Sequence, residues 1–574
     1  MNINNHISQI IDPKTLGDVD KHKRIFLSKN KRFANFPDLL SLQKRWFEEF
    51  INHYVLKVFD DISPINDFAG EKLQVIIDDV RVWESINSVG TCKKKELTYW
   101  GIVSATIKLL QTENKKTIFS KRANIWVMPL MTKEASYIIN WVERVMISQI
   151  IRSYWIFYNK KDLKYTFKLV PERWPWLEVF IEKSWNVVAR INKSRKFVVT
   201  SLLRVFGFET DESIREVFAS SFDADDINFL EYALKKDTTT DALSAAEHIY
   251  NKLRPWEIID PENALDYIKS QFLSNSRMYL WRIARRKVNA KLWINKSLYE
   301  ESSNIFDATD IIWSMVYLFH LANDHHWYYF DDADHLSNKR VRTMWEVLYA
   351  HLQPVMRKFV KSVKWKLSIL NLENQTKLTD IVNFKIIDNA IKSFFSTSQL
   401  SQFLDQVNPL AEIEHKRRIT ALGPWWLKRE TAKLDVRDLH PSHYWRICPI
   451  ETPEWPNIWL VLYQSLYCKV NEEWFMEVPA AKVFKEVSPL KDQLINKIAR
   501  KTIYKLDKKW NQTDEVIVNE DEYINNKQAQ LIEDNYWQYK IPVLVKPFFT
   551  DEIEHISPEM DGKLSTINCL LLSR

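Results

Sequence analysis

After Pro37 apolar residues recur at helical spacing, with Leu39, Leu42, Trp46 and Phe50 on one stripe and proline suited to a first turn. This pattern predicts an amphipathic helix that buries the stripe. Residues 60–158 change period: alternating or continuous β-branched runs bounded by turn residues predict strands. Within them, Ile138-Ile139-Asn140-Trp141-Val142-Glu143-Arg144-Val145 has the form of a hairpin whose two turn residues need positive φ. Asn-Gly takes that conformation readily, and Trp resists it. Between 159 and 340 the pattern predicts strands over 177–181, 187–191 and 197–203, then helices around 242–254, 262–273 and 310–322. From Trp345 to about Leu370, positions 347, 348, 352, 355, 356, 359, 360 and 363 return to a helical period, with a kink expected at Pro354. Over 394–460 periodicity fades and Asn408-Pro409, Gly423-Pro424, His440-Pro441, Cys448-Pro449 and Thr452-Pro453 interrupt the chain, which reads as connected loops presenting side chains. Residues 1–35 have no period and read as an extended arm. The sum is an α+β, multidomain chain.

Composition alters this picture at one point. With 574 residues, 46% hydrophobic and 27% charged, the chain is ordinary for several globular domains, and no apolar run approaches the roughly 18 residues of a membrane span. The start, MNINNHISQIIDPK, lacks a signal-peptide pattern, and Cys92, Cys448, Cys468 and Cys569 show no paired spacing. Both features fit reduced thiols in a cytoplasmic protein. A net charge of +7 supports a polyanionic partner only weakly. The anomaly is 7 Gly beside 24 Trp, where ordinary usage gives roughly 40 Gly.

The densest chemistry lies in four segments: Gln399-Leu400-Ser401-Gln402-Phe403-Leu404-Asp405-Gln406, His415-Lys416-Arg417-Arg418, Val436-Arg437-Asp438-Leu439-His440-Pro441 and Arg446-Ile447-Cys448-Pro449-Ile450-Glu451-Thr452-Pro453-Glu454. Together they resemble the fork region of the bacterial-type RNA polymerase beta subunit. The departure is systematic, because Trp stands where that family has Gly at 83, 126, 141, 155, 174, 256, 281, 293, 345, 425, 426, 445, 455, 459 and 474. One replacement throughout suggests a coding cause: a UGA codon that means glycine in the living cell, written as tryptophan.

The resemblance implies an N-terminal arm (1–35), a protrusion in two parts (36–147 and 341–393), a lobe (148–340), the fork (394–460) and the truncated start of a following domain (461–574). Ser565 to Leu571 resembles the segment before a further family motif, so an N-terminal portion of beta is expected. The implied activity is DNA-directed RNA polymerase, a nucleotidyltransferase, with this chain framing the channel and inactive alone. A non-catalytic nucleic-acid-binding or assembly fragment of a split beta subunit is the alternative. No catalytic residue and no metal or cofactor is assigned here: the family's Mg²⁺ sits on beta-prime, and Glu454 lies near the incoming nucleotide. The implied partners are beta-prime, alpha, omega, a sigma factor, template DNA, RNA product and nucleoside triphosphates, with no membrane.

The same resemblance assigns Arg152, Trp176, Asp334 and Lys339, where the family usually has Arg, to a pocket for an unstacked non-template base. Asn192 replaces a neighbouring family Asp. It assigns Arg418, Lys428 and Arg429 to nucleic-acid contact, and Gln399, Gln402, Phe403, Asp405, His415, Arg418, Thr420, Leu422 and Asn457 to a rifamycin-type inhibitor pocket, with Thr420 replacing a family Ser. Residues alone leave plainer readings open. The basic cluster of His415, Lys416, Arg417, Arg418, Lys428 and Arg429 suits phosphate contacts and a solvated face equally. An isolated Trp176 is more often core than stacking platform. Asp331-Asp332-Ala333-Asp334 reads better as a solvated loop than as a cation cage. His440, His443 and Cys448 lack a fourth zinc ligand and read as hydrogen-bonding groups, and no nucleophile elbow supports a Ser-His-Asp hydrolase.

Overall fold

A computed structural model describes residues 37–568 apart from 69–71, 113–115, 162–163, 172–175, 193, 220–221, 223–225, 258, 273–278, 281, 299–304, 371–380, 424–426, 507–511, 537–540 and 562–565. The expected arm, and Trp174, Trp281, Trp425 and Trp426, fall outside the described residues.

The first helical run, Ser41–Glu49, passes through one wide turn at Phe50–Tyr54 into Val55–Asp60. Trp46 and Phe50 are buried and Leu42 packs beside them, so the stripe is the core face. The helix begins at Ser41 because the Asp38 carboxylate first accepts the Leu40 N–H and holds a turn. Strands Ile65–Asn66, Leu73–Val82, Trp100–Gln111 and Thr117–Pro129 follow as an antiparallel sheet in chain order. Helix Met344–Ile369 packs on the same core and runs on through Pro354, which has no N–H to give the ladder. Of the expected stripe, Val347, Leu348, Leu352, Met356, Phe359 and Val363 are buried and Val355 and Val360 partly so, and Met344, Trp345, Glu346, Tyr349 and Leu367 are buried as well.

Two cores divide the chain. Buried residues from Trp46 to Ile150 and from Leu336 to Val478 share one apolar cluster, whereas those from Trp155 to Leu321 form another. A smaller third cluster runs from Val487 to Val545. The second cluster contains an antiparallel five-stranded sheet, Ile156–Lys161, Lys164–Leu169, Leu177–Ile181, Val187–Ile191 and Phe197–Val198, with helices Ala242–Leu253, Pro261–Phe272 and Ala308–Ala322. The strand expected over 197–203 is a correction: it lasts two residues and becomes helix Val199–Val205. Thr200 and Arg204, one helical turn apart, both bond Asp237, a spacing that an extended strand does not offer.

The segment 394–460 is more regular than its prolines suggest. Asn408 Oδ1 accepts the Ala411 N–H at 2.8 Å and Pro409 occupies the first turn, so this dipeptide starts helix Pro409–Arg417. The hairpin over 138–145 is present. Strands Tyr137–Ile139 and Val142–Met146 pair Ile139 with Val142, and the turn residues Asn140 and Trp141 have φ of 48° and 62°.

One small sheet gathers the chain's distant parts. Its order is Lys339–Arg342, Ser148–Arg152, Arg418–Thr420, Val461–Tyr463, the middle pair parallel and the outer pairs antiparallel. Among the described residues no helix is long and apolar enough to cross a membrane.

Candidate nucleic-acid interface

That sheet sets the site. Lys339 lies directly opposite Arg152 across two antiparallel strands, so two cations from segments far apart in sequence meet at one end of the sheet. Asp334 arrives in the loop before Lys339, and Trp176 stands just before strand Leu177–Ile181. All four line one cavity of about 230 Å³, closed on its other side by Leu427, Val436, Asp438, His443 and Trp459.

Charge inside the cavity is balanced. Lys339 Nζ lies 2.8 Å from Asp334 Oδ1, an ion pair whose partners are both largely shielded from solvent. Lys168 Nζ sits 3.4 Å from the centre of the Trp176 ring and 2.9 Å from Glu178, so one indole face is already covered by a cation. Burial lowers the Lys168 pKa, and the Glu178 carboxylate partly restores it. Trp176 is oriented through its backbone, whose carbonyl accepts the Asn192 N–H at 2.7 Å. Burial, with Lys339 adding to it, pushes the His443 imidazole down to about 4, so it faces the cavity neutral at neutral pH.

The acidic run is neither a cage nor a solvated loop. Asp331 accepts the Tyr158 N–H at 2.8 Å and pairs with Lys291, Asp332 bonds His440 Nε2 at 2.7 Å, and Asp334 takes Lys339. Each carboxylate has its own partner, those of Asp331 and Asp332 lying far away in sequence. His440 Nδ1 also bonds Ser442 Oγ at 2.7 Å, and His443 Nδ1 accepts the His440 N–H at 3.4 Å.

The basic cluster separates in the same way. Arg417 donates to the carbonyls of Leu39 and Ser465, at 3.0 and 2.7 Å, and Lys416 is buried, so these two hold the fold. Arg418 lies 3.7 Å from Glu414 and over the Tyr463 ring, while Lys428 and Arg429 are exposed. The reading of all six as one phosphate-facing or solvated group is corrected to these last few.

Among the residues of the expected inhibitor pocket, called the wall below, several polar groups are engaged within the fold and others are exposed. His415 Nε2 bonds Gln402 Oε1 at 3.0 Å, and its Nδ1 accepts the Asp405 N–H at 3.1 Å. Burial, then the Arg418 charge, lowers its pKa to about 4. Thr420 donates to the Leu460 carbonyl and accepts the Leu422 N–H. Phe403 is exposed under the Arg144 guanidinium, and Gln399, Asp405 and Glu454 are exposed. Asn457 Oδ1 is buried with no hydrogen-bond partner among the described residues.

Sequence reasoning did not find Lys168, Asp438 or the cavity role of His443 and Trp459. Arg437 gives the missing link: its guanidinium donates to the carbonyls of Pro456 and Ile458, tying Val436 and Asp438 to the loop bearing Trp459. An arginine flanked by two site residues was the available signal.

Comparison with known proteins bears on the family. Residues 152–342 match the family RNA polymerase Rpb2, domain 2, and residues 402–470 match RNA polymerase Rpb2, domain 3. The DNA-directed RNA polymerase subunit beta of Syntrophomonas wolfei is 34% identical over 479 residues, covering 82% of this chain and 42% of the relative. That of Thermosynechococcus vestitus is 36% identical over 463 residues, covering 80% and 40%, and that of Staphylococcus epidermidis is 31% identical over 561, covering 82% and 46%. The chain thus spans less than half the length of these relatives. It belongs to the bacterial-type RNA polymerase beta subunit family.

Proposed function

We propose that this chain forms the part of a DNA-dependent RNA polymerase beta subunit that frames the DNA and RNA channel. In this reading residues 36–147 and 341–393 are the protrusion, 148–340 the lobe, 394–460 the fork and 461–574 the start of the next domain. The observation that carries it is the meeting of Arg152, Trp176, Asp334 and Lys339 in one cavity, where an aromatic face and paired charges suit an unstacked base. Lys428 and Arg429 supply salt-dependent phosphate contacts with Arg418 beside them, and Glu454 faces the incoming nucleotide. Nucleotidyl transfer needs Mg²⁺, which this reading places on a beta-prime partner. Alpha, omega and sigma complete the assembly in the cytoplasm, and the wall from Gln399 to Asn457 is the rifamycin-type surface.

Two measurements test this. Trp176→Ala in the assembled polymerase is expected to weaken open-complex DNA binding, and equal affinity at one fixed salt concentration would remove the cavity from the reading. The purified 574-residue chain is expected to extend no primer, and any template-dependent incorporation would refute its dependence on beta-prime.

We further infer that several of the written tryptophans are glycines in the functioning protein. Backbone conformation supports this: among the described residues, six of the 14 non-glycine positions at positive φ are Trp141, Trp185, Trp293, Trp445, Trp459 and Trp474, with φ from 52° to 69°. L side chains other than Asn and Asp are rare there. Trp185 was not singled out by the family pattern, yet it shares that backbone. In addition, the indole N–H groups of Trp126, Trp155 and Trp474 are buried without a partner among the described residues. Peptide mass spectrometry on the native protein decides it, with glycine masses expected at these turns and tryptophan masses at 459 and 474 overturning it.

A further inference from the structure

We infer that Asp226, His320 and His325 form a binding site for one divalent transition-metal ion of the zinc type. The ligand-capable atoms of the three residues all lie within 4.8 Å of one another. His325 Nε2 is 2.9 and 3.2 Å from the two carboxylate oxygens of Asp226, and the rings of His320 and His325 are 4.8 Å apart at 80°. The three residues are half-buried.

Backbone contacts bring the segments that carry the three residues together. His320 lies in the last turn of helix Ala308–Ala322, and the His325 N–H donates to the His320 carbonyl at 3.1 Å. Asn323, between them, accepts the Ile227 N–H at 3.2 Å, which fixes the neighbour of Asp226 against the helix end. Asn228 then caps helix Phe229–Lys236 by accepting the Leu230 N–H at 3.1 Å. The His320 ring is further held by stacking on Tyr328 at 4.6 Å. Two loops far apart in sequence are thereby locked with two imidazoles and a carboxylate converging.

Donor chemistry selects the ion. Two nitrogens and one carboxylate suit Zn²⁺ or Co²⁺, with a water as fourth ligand, whereas Ca²⁺ and Mg²⁺ favour all-oxygen sets. Tetrahedral binding at about 2.0–2.2 Å places ligand atoms roughly 3.3 Å apart. Metal binding therefore requires the three ligand atoms to draw together from separations of up to 4.8 Å. The ion would join the loop before helix Phe229–Lys236 to the end of helix Ala308–Ala322, outside the cavity lined by Trp176, and its role would be to stabilise this lobe.

The test uses the full chain, stripped with chelator and titrated with Co²⁺, then with Zn²⁺ in competition. One equivalent with the visible absorption of four-coordinate Co²⁺ is expected. His320→Ala and His325→Ala should each lower affinity by more than about 100-fold, since even supporting residues cost 10–100-fold. His320→Gln serves if the alanine variant does not fold, and thermal melts of each apo variant establish folding. Failure to bind Co²⁺ and Zn²⁺, or binding that persists in the folded His320 and His325 variants, overturns the assignment. Binding lost instead in His440→Ala places the metal at the other histidine group and overturns it equally.

Discussion

In the cavity around Trp176 the polar groups come from four separate segments and surround empty volume, whereas in the wall His415, Gln402 and Thr420 are already bonded within the fold. Arg152, Asp334 and Lys339 line an open space of about 230 Å³. His415, Gln402 and Asp405 leave none, because each ring nitrogen of His415 is already engaged. The difference is one of tolerance. A substitution in the cavity is expected to change ligand binding with little effect on folding, and a substitution in the wall to change folding first.

Acid breaks the comparison most strongly, because each region has one buried neutral histidine. His415, facing Arg418 and Asp405, and His443, facing Lys339, His440, Asp334 and His335, both have pKa values depressed to about 4. The unfolded chain binds these protons near pH 6.5, so stability is present above that value and falls as pH drops toward 4. From pH 7 to pH 5 the loss is about 2 kcal/mol per histidine, about 4 kcal/mol together. Denaturant midpoints against pH check it. His443→Asn should remove the cavity's share and His415→Asn the wall's, and a flat profile between pH 7 and 5 in the parent chain would refute both.

Next in size is Trp459, which lines the cavity at φ 55°, two residues beyond Asn457 of the wall. Trp459→Gly relieves a left-handed backbone and is expected to raise stability by about 1–3 kcal/mol while enlarging the cavity. A lower thermal midpoint would show that the indole contributes more packing than its backbone costs. For Trp176→Ala the expected loss is about 1–3 kcal/mol in binding of an unstacked base, with the midpoint little changed. If the midpoint falls and binding does not, Trp176 is core and the contrast between cavity and wall collapses.

How much of this was legible in the sequence follows from where each signal resides. The stripe of Trp46 and Phe50 was readable because burial imposes a helical period, and the Asn140-Trp141 turn because strand pairing imposes two positive φ values. Helix Val199–Val205 was not, since all seven residues, Thr200, Ser201 and Arg204 included, are buried, and a short segment with no exposed face carries no period. The cavity residues were found only through motif resemblance, as no local pattern records that residues 152 and 339 face each other. Charge runs misled for a related reason: partners such as Lys291 for Asp331, or the Leu39 carbonyl for Arg417, lie far away in sequence. The group of Asp226, His320 and His325 carried no motif spacing at all.

The smallest expected effect is at Thr420, where the wall departs from its family by one methyl group. Thr420 is 6% exposed and sits in strand Arg418–Thr420, its hydroxyl donating to the Leu460 carbonyl and accepting the Leu422 N–H. Thr420→Ser keeps both bonds and removes a buried methyl, which costs about 1 kcal/mol of stability. Because the side chain is enclosed by the fold, the affinity of the assembled polymerase for a rifamycin is expected to change by less than about 1 kcal/mol. Stability and inhibition therefore respond with different sizes to one substitution, as expected if wall residues hold each other before they hold a ligand. Inhibition curves for the two polymerases decide it: a tenfold or greater gain in sensitivity for Thr420→Ser would show that the methyl reaches the inhibitor.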